Sequence, residues 1–111
     1  MKGTNIGEFE EIVLLTIASL MTEAYSVNIV DEIKSVTGRS TKLGVVHAVL
    51  NRLEDKGMIA SDLGEPTKER GGRRKRFYSL TQAGKSALLR SKEQRDQLWS
   101  AIPDVVFKGV R

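Results

Sequence analysis

The chain has no cysteine, so it holds neither a disulfide framework nor a thiolate metal site. Its one histidine, His47, is too little for a zinc centre built from imidazoles. No basic N-terminal region leads into an apolar core and a small-residue cleavage site. The longest apolar-rich run, residues 12–21, is too short to cross a bilayer and carries Thr16 and Ser19. No nucleophile is paired with a base and oxyanion donors at useful spacing, which argues against an enzyme. No glycine-rich phosphate loop joins a strand to a helix. Internal repeats and low-complexity segments are absent. The expectation is a cytoplasmic protein without cofactor, metal or membrane contact, and 111 residues suit one domain of ordinary size.

Positive charge is concentrated in one place. Residues 68–76 carry six basic side chains (Lys68, Arg70, Arg73, Arg74, Lys75 and Arg76) against one acid, Glu69, in a chain of net charge +4. The rest of the chain is therefore close to neutral. Gly71-Gly72 sits inside the basic run, with strand-like residues on both sides: Met58-Ile59-Ala60-Ser61-Asp62-Leu63 before it and Phe77-Tyr78-Ser79-Leu80 after it. A glycine turn between two such runs predicts a β-hairpin. A hairpin tip this cationic suits phosphate contact, because nucleic acid rewards clustered Lys and Arg by releasing counterions. A solvated loop kept charged for solubility gives the same local pattern.

Four helices are predicted around the hairpin. Phe9, Ile12, Val13, Thr16, Ile17 and Leu20 recur at helical spacing over about residues 8–21, with Glu8, Glu10 and Glu11 in the first turn, where the helix dipole favours acids. A second stripe, Leu14, Ala18 and Met21, needs cover from a partner subunit or from later helices of the same chain; both readings stand. Ser26 is the expected N-cap of the next helix, whose inner stripe is Ile29, Val30, Ile33 and Val36 or Thr37, with Gly38 as its C-cap. Ser40 or Thr41 is expected to cap a third helix with an inner stripe of Leu43, Val46, Leu50 and Leu53, ended by Gly57. Its early outer positions, Lys42, Gly44, Val45 and Ala48, are small apart from one cation. Asn51, Glu54 and Asp55 on its later outer face are polar or acidic. Thr81 caps a last helix that runs toward Ile102, where Pro103 stops it. The apolar residues of that helix fall in two clusters, Ala83, Ala87, Leu88 and Leu89 early and Leu98, Trp99 and Ile102 late. The early cluster suits docking on the domain body. The late cluster, with Val105, Val106 and Phe107 beyond it, needs another surface.

Helix, helix, turn, helix, strand, charged turn, strand, helix is the order of a winged helix-turn-helix. The fold is mainly α with a small β-hairpin as the wing, followed by a long C-terminal dimerisation helix. Residues 1–80 form the DNA-binding domain on this reading, and residues 81–111 the dimerisation helix and tail. Four motifs then make the chain resemble the PadR family of bacterial transcriptional regulators over about residues 8–89. They are Glu11-Ile12-Val13-Leu14-Leu15; Leu50-Asn51-Arg52-Leu53-Glu54-Asp55-Lys56-Gly57-Met58-Ile59; Gly64-Glu65-Pro66-Thr67 with Glu69-Arg70-Gly71-Gly72-Arg73-Arg74-Lys75-Arg76-Phe77-Tyr78; and Leu80-Thr81-Gln82-Ala83-Gly84. Many members place glycine-threonine-leucine-tyrosine near the start of the recognition helix; here it reads Gly44-Val45-Val46-His47, with His47 where the tyrosine stands. The chain stops one helix after the wing, similar to the short subgroup, in which the resemblance implies a dimerisation arm.

The expected DNA contacts are Ser40, Thr41, Lys42, Val45, His47 and Ala48 on the third helix and its approach, and Arg70, Arg73, Arg74, Lys75 and Arg76 on the wing. Lys42 and Thr41 suit phosphates at the helix N-terminus, and Val45 and Ala48 suit a thymine methyl. Leu14, Ala18, Leu88, Leu98, Trp99 and Ile102 are the expected dimer contacts. Trp99 is either plain packing or a stacking surface for a small aromatic effector. The leading function is a homodimeric repressor on a palindromic operator in double-stranded DNA. A winged-helix protein-interaction module is the alternative, one that has no use for a cationic wing tip.

Overall fold

The computed structural model describes residues 6–66 and 74–110. Helix α1 spans Glu8–Leu20, a short 3-10 turn covers Met21–Glu23, and α2 spans Ser26–Thr37. Helix α3 spans Leu43–Asp55, strands β1 (Ile59–Pro66) and β2 (Arg74–Leu80) pair, and α4 spans Gln82–Ser100. A second 3-10 turn, Asp104–Phe107, follows Pro103. The two strands are antiparallel, with Ile59 opposite Leu80 and Asp62 opposite Phe77, and the register shifts between Leu63 and Pro66.

The core is where three helical stripes and the root of the hairpin meet. Val13, Leu14 and Ile17 of α1, Ile29 and Ile33 of α2, and Val46, Leu50 and Leu53 of α3 are fully buried there, with Ile59 and Tyr78 closing the hairpin end. Truncating any one of the larger side chains, Leu50 for example, costs about 2–5 kcal/mol. Leu14 has no exposed surface, so its own chain covers it and it is not free for a partner, contrary to the expected dimer role. Ala18 and Met21 of the same stripe are exposed.

Both glycine stops act through left-handed backbone. Gly38 has φ 78° and its N–H donates to the Lys34 carbonyl at 2.8 Å; Gly57 has φ 76° and ends α3. The expected caps hold only in part. Ser26 is the first residue of α2, with extended Tyr25 ahead of it, and Lys42 rather than Ser40 or Thr41 stands at the N-cap of α3 without a side-chain cap bond. Leu43, and both Val36 and Thr37 as the alternatives for the last inner position of α2, are exposed, because each lies at a helix end that overhangs the core. Helix α4 ends at Ser100, two residues short of the expected Ile102.

The start of α4 is fixed by close approach. The Thr81 N–H donates to the Met58 carbonyl at 3.0 Å, and its hydroxyl donates to the Gly57 carbonyl at 2.7 Å while accepting from the Gly84 N–H at 3.1 Å. A Cβ at position 84 would run into the Met58 carbonyl. The Leu80-Thr81-Gln82-Ala83-Gly84 motif is thus the seat on which α4 leaves the hairpin. Past Ala87 and half-buried Leu88 almost all of α4 is exposed, and the molecule is elongated, 57 × 35 × 21 Å.

Candidate nucleic-acid interface

Helix α3 buries Val46, Val49, Leu50 and Leu53 on one side. The opposite side of its first two turns presents Lys42, Gly44, Val45, His47 and Ala48 to solvent. His47 is exposed on this outer side. No acid lies on this stretch; Glu54 and Asp55 sit at the far end. Unpaired N–H groups and the positive end of the dipole are at the same tip as Lys42. Ser40 is exposed just ahead of it. The Thr41 hydroxyl is buried and makes no hydrogen bond among the described residues.

The wing is braced by aromatic packing and by α3. Tyr25 pairs with Phe77 as an isolated antiparallel bridge, their rings meet edge to face at 5.5 Å, and the Tyr78 N–H donates to the Ala24 carbonyl at 2.8 Å. Phe77 also lies against Gly64, where a Cβ would collide with its ring. Sequence patterning missed this third short pairing, since a single bridging residue leaves no alternation to detect. The Lys75 ammonium sits 4.0 Å above the Tyr25 ring, a cation–π contact that holds it against the start of α2. The Arg76 guanidinium donates to Ser61 Oγ at 3.0 Å, and Ser61 Oγ donates to Glu54 Oε2 at 2.8 Å, so the wing is tied to the last turn of α3. Arg74 is exposed at the start of β2. Arg70, Arg73 and the Gly71-Gly72 turn lie outside the described residues.

Behind α3, the three acids of α1 that looked like simple dipole partners are all engaged. Arg39 donates to both oxygens of Glu8 at 3.1 and 2.9 Å, and its guanidinium lies 4.9 Å from the centre of the Phe9 ring. The Glu10 side chain, 6% exposed, accepts from the Gly7 N–H at 2.8 Å, from Arg52 Nε at 2.8 Å and from Lys56 Nζ at 2.9 Å. Burial pushes the Glu10 carboxyl up. The Gly7 N–H, Arg52 and Lys56 together outweigh it and hold the group at about 2, against an ordinary 4.5. Glu11 accepts from Ser91 Oγ at 3.0 Å and from Arg95 at 2.9 Å.

The far end of α4 is a free apolar surface. Leu98 is 70% and Trp99 64% exposed; Trp99 stacks on Phe107 of the tail at 5.8 Å, beside exposed Val105 and Val106. Ile102 is half-buried. Between α1 and α4 runs an open groove of about 660 Å³, with Leu15, Leu80, Leu88, Leu89 and Trp99 as its apolar lining and Glu11, Lys85, Lys92, Arg95 and Asp96 at its edges. Among the described residues no helix is long and apolar enough to cross a membrane, and no group of three His, Asp or Glu is placed to hold a metal ion.

A family model described as the transcriptional regulator PadR-like family matches residues 14–90. The chain is similar to a solved PadR family transcription regulator from Clostridium difficile R20291, with 23% identity, a TM-score of 0.67, and 83% of this chain and 92% of that one covered. It is similar to a PadR family transcriptional regulator from Eggerthella lenta at 21% identity and TM-score 0.67, covering 92% and 88%. It is also similar to a transcriptional regulator from Clostridium thermocellum at 25% identity and TM-score 0.62, covering 92% of each chain. No protein of curated function matches.

Proposed function

The chain belongs to the PadR-like family of transcriptional regulators, and we propose that this DNA-binding regulator acts as a homodimeric repressor on a palindromic operator. The observation that carries the reading is the outer side of α3: two turns of acid-free, exposed surface, small apart from Lys42, Leu43 and His47, ahead of the helix end that carries the acids. A helix of that profile fits a major groove about 12 Å wide, where base edges are read. Val45 and Ala48 meet thymine methyls. Lys42 takes either a guanine edge or a phosphate. Ser40 and His47 contact backbone phosphates beside it, whereas the Thr41 hydroxyl, expected to do so, is buried and does not reach them.

Wing cations supply affinity rather than sequence information. Of the five assigned there, Arg74 is exposed at the start of β2. Lys75 and Arg76 reach phosphate only from positions already tied to Tyr25 and Ser61. Arg70 and Arg73 are assigned from their place in the basic run.

Exposed Leu98 and Trp99, with Ile102, Ala18, Leu88 and the tail, form the dimer contact. A two-fold dimer presents two copies of α3, so its operator is palindromic. The α1–α4 groove beside Trp99 is roomy enough for a small aromatic effector.

The test is direct. Light scattering at micromolar concentration is expected to give twice the 12.3 kDa chain mass. Duplexes selected from a randomised pool are expected to share an inverted repeat. A strict monomer, or a protein that binds all duplexes alike, sinks the proposal.

A further inference from the structure

The arm is held to the body at its root by packing and then again, further out, by one carboxylate. Gly84 and Ala87 are the buried residues of α4. Beyond Leu88 its hydrogen-bonded ties to the body among the described residues are Ser91 and Arg95, one turn apart on the same face, both bonded to Glu11. Glu11 stands in the same helical turn as Glu8 and Glu10. Those two hold the segments at either end of the recognition helix: Arg39 in the turn before α3, and Arg52 and Lys56 in and just past its last turn. One turn of α1 therefore grips both α3 and α4.

Resting on the reading of the chain as a dimeric DNA binder, we infer that this turn is a positioning element: Glu11 sets the angle of the arm against the recognition helix, and so the separation of the two recognition helices in the dimer. The lever arithmetic favours this role over simple stabilisation. At 1.5 Å per residue α4 runs about 22 Å from Gly84 to Trp99, and a pivot of about 10° at its root moves Trp99 by about 4 Å. One base pair of B-DNA is a step of about 3.4 Å and about 35°. An arm free to pivot by that small angle absorbs the ~3.4 Å translation of a one-base-pair change in spacing, and so separates operators that differ by it less sharply. Arg95 bonds Glu11 about three-quarters of the way along this lever, far enough from the pivot for an ion pair to limit the swing. The Glu11 side chain is only 14% exposed, which shields the pair from solvent on one side.

Spacing tolerance reads this role, and a merely structural contact does not move it. Duplexes selected with the wild-type chain are compared with versions carrying one or two base pairs inserted at their centre. Wild type is expected to lose about tenfold or more in affinity per insertion, a step of about 1.4 kcal/mol. Glu11→Gln is expected to lose less than about threefold, with affinity for random duplex unchanged. The charge-exchanged pair Glu11→Arg with Arg95→Glu is expected to recover strict spacing. Because the chain has no cysteine, spin labels at Lys34→Cys and Ser100→Cys report the arm angle without DNA. Their distance distribution is expected to broaden in Glu11→Gln. Equal spacing discrimination in wild type and Glu11→Gln, or an unchanged distance distribution, overturns the inference while leaving the DNA-binding reading intact. A wild-type chain that selects no duplex overturns both.

Discussion

Two glycines give the same substitution opposite consequences. At Gly84 a methyl group has no room: it would meet the Met58 carbonyl, backbone that also accepts the Thr81 N–H at 3.0 Å. Neither side is a flexible side chain, so the first turn of α4 must lift off the hairpin. Overpacking of this kind costs about 1–3 kcal/mol, and contact with backbone puts the site at the upper end. Alanine's better helix propensity returns about 1 kcal/mol, leaving a net loss of about 2 kcal/mol. For a domain of this size that lowers the melting temperature by about 10 °C. At Gly44 no atom lies within 4 Å of the would-be methyl, and φ is ordinary, so Gly44→Ala gains about 0.5–1 kcal/mol. Thermal melts by circular dichroism at matched protein concentration compare both variants with wild type, since a dimer's melting point depends on concentration. A Gly84→Ala chain that melts at or above wild type refutes the seat described for α4. Gly44 carries a second readout. If the tip of α3 enters the groove, its added methyl weakens DNA binding in a protein that is more stable, and stability and affinity part company.

Three more outcomes are expected. Glu10 is held at about 2 against 4.5, so its ties stabilise the fold fully above pH 4.5, and that contribution, about 3 kcal/mol at most, is lost as pH falls through 2. Urea titrations of wild type and Glu10→Gln should therefore differ at neutral pH and converge near pH 2; a constant gap refutes the assignment. Arg74→Ala should flatten the salt dependence of binding by about 0.9 for each phosphate it no longer neutralises, twice over in a dimer, and an unchanged slope means Arg74 is only solvated surface. Lys42→Ala, assayed on selected and random duplexes at one salt concentration, should narrow the gap between them by about 1–3 kcal/mol if Lys42 reads a guanine, whereas a parallel loss on both assigns it to phosphate; no change on either removes Lys42 from the interface.

Much of the fold was legible because its signals are local. Apolar spacing marked the buried stripes of α1, α2 and α3, and Gly38 and Gly57 marked two stops because only glycine takes φ 78° and 76° without strain. Thr81 was legible as a cap for the same reason: its partner, Gly84, is three residues away. The errors fell where a local rule had a tertiary competitor. Leu14 was placed among the expected dimer contacts because apolar spacing within α1 cannot tell whether a partner or a later element covers a face; here the chain's own core does. Ser40 and Thr41 looked like caps, but the Gly38 turn carries the chain past them, and Lys42 becomes the N-cap without any side-chain bond.

The candidate interface divides along the same line. Its outward half, the slim tip of α3 and the basic wing, could be read from residue types alone, because charge and size are properties of single positions. The framework that aims it could not. Glu8 and Arg39 are 31 residues apart, Glu10 and Arg52 are 42, and Glu11 and Arg95 are 84. In the sequence the three acids have a complete local explanation as dipole partners in a first turn, and the distant cations have one as solvated residues of a polar turn (Arg39) or of helix faces (Arg52 and Arg95). Nothing in either pattern asks for the other. Only when α1 crosses behind α3 and alongside α4 do the same carboxylates become ties from one helix turn to the segments around α3 and to α4. A charge that satisfies a local rule is thus not exhausted by it, and Glu11, which bonds both Ser91 and Arg95 beyond the packed root of α4, is where a single neutral substitution tests whether the arm has a fixed angle.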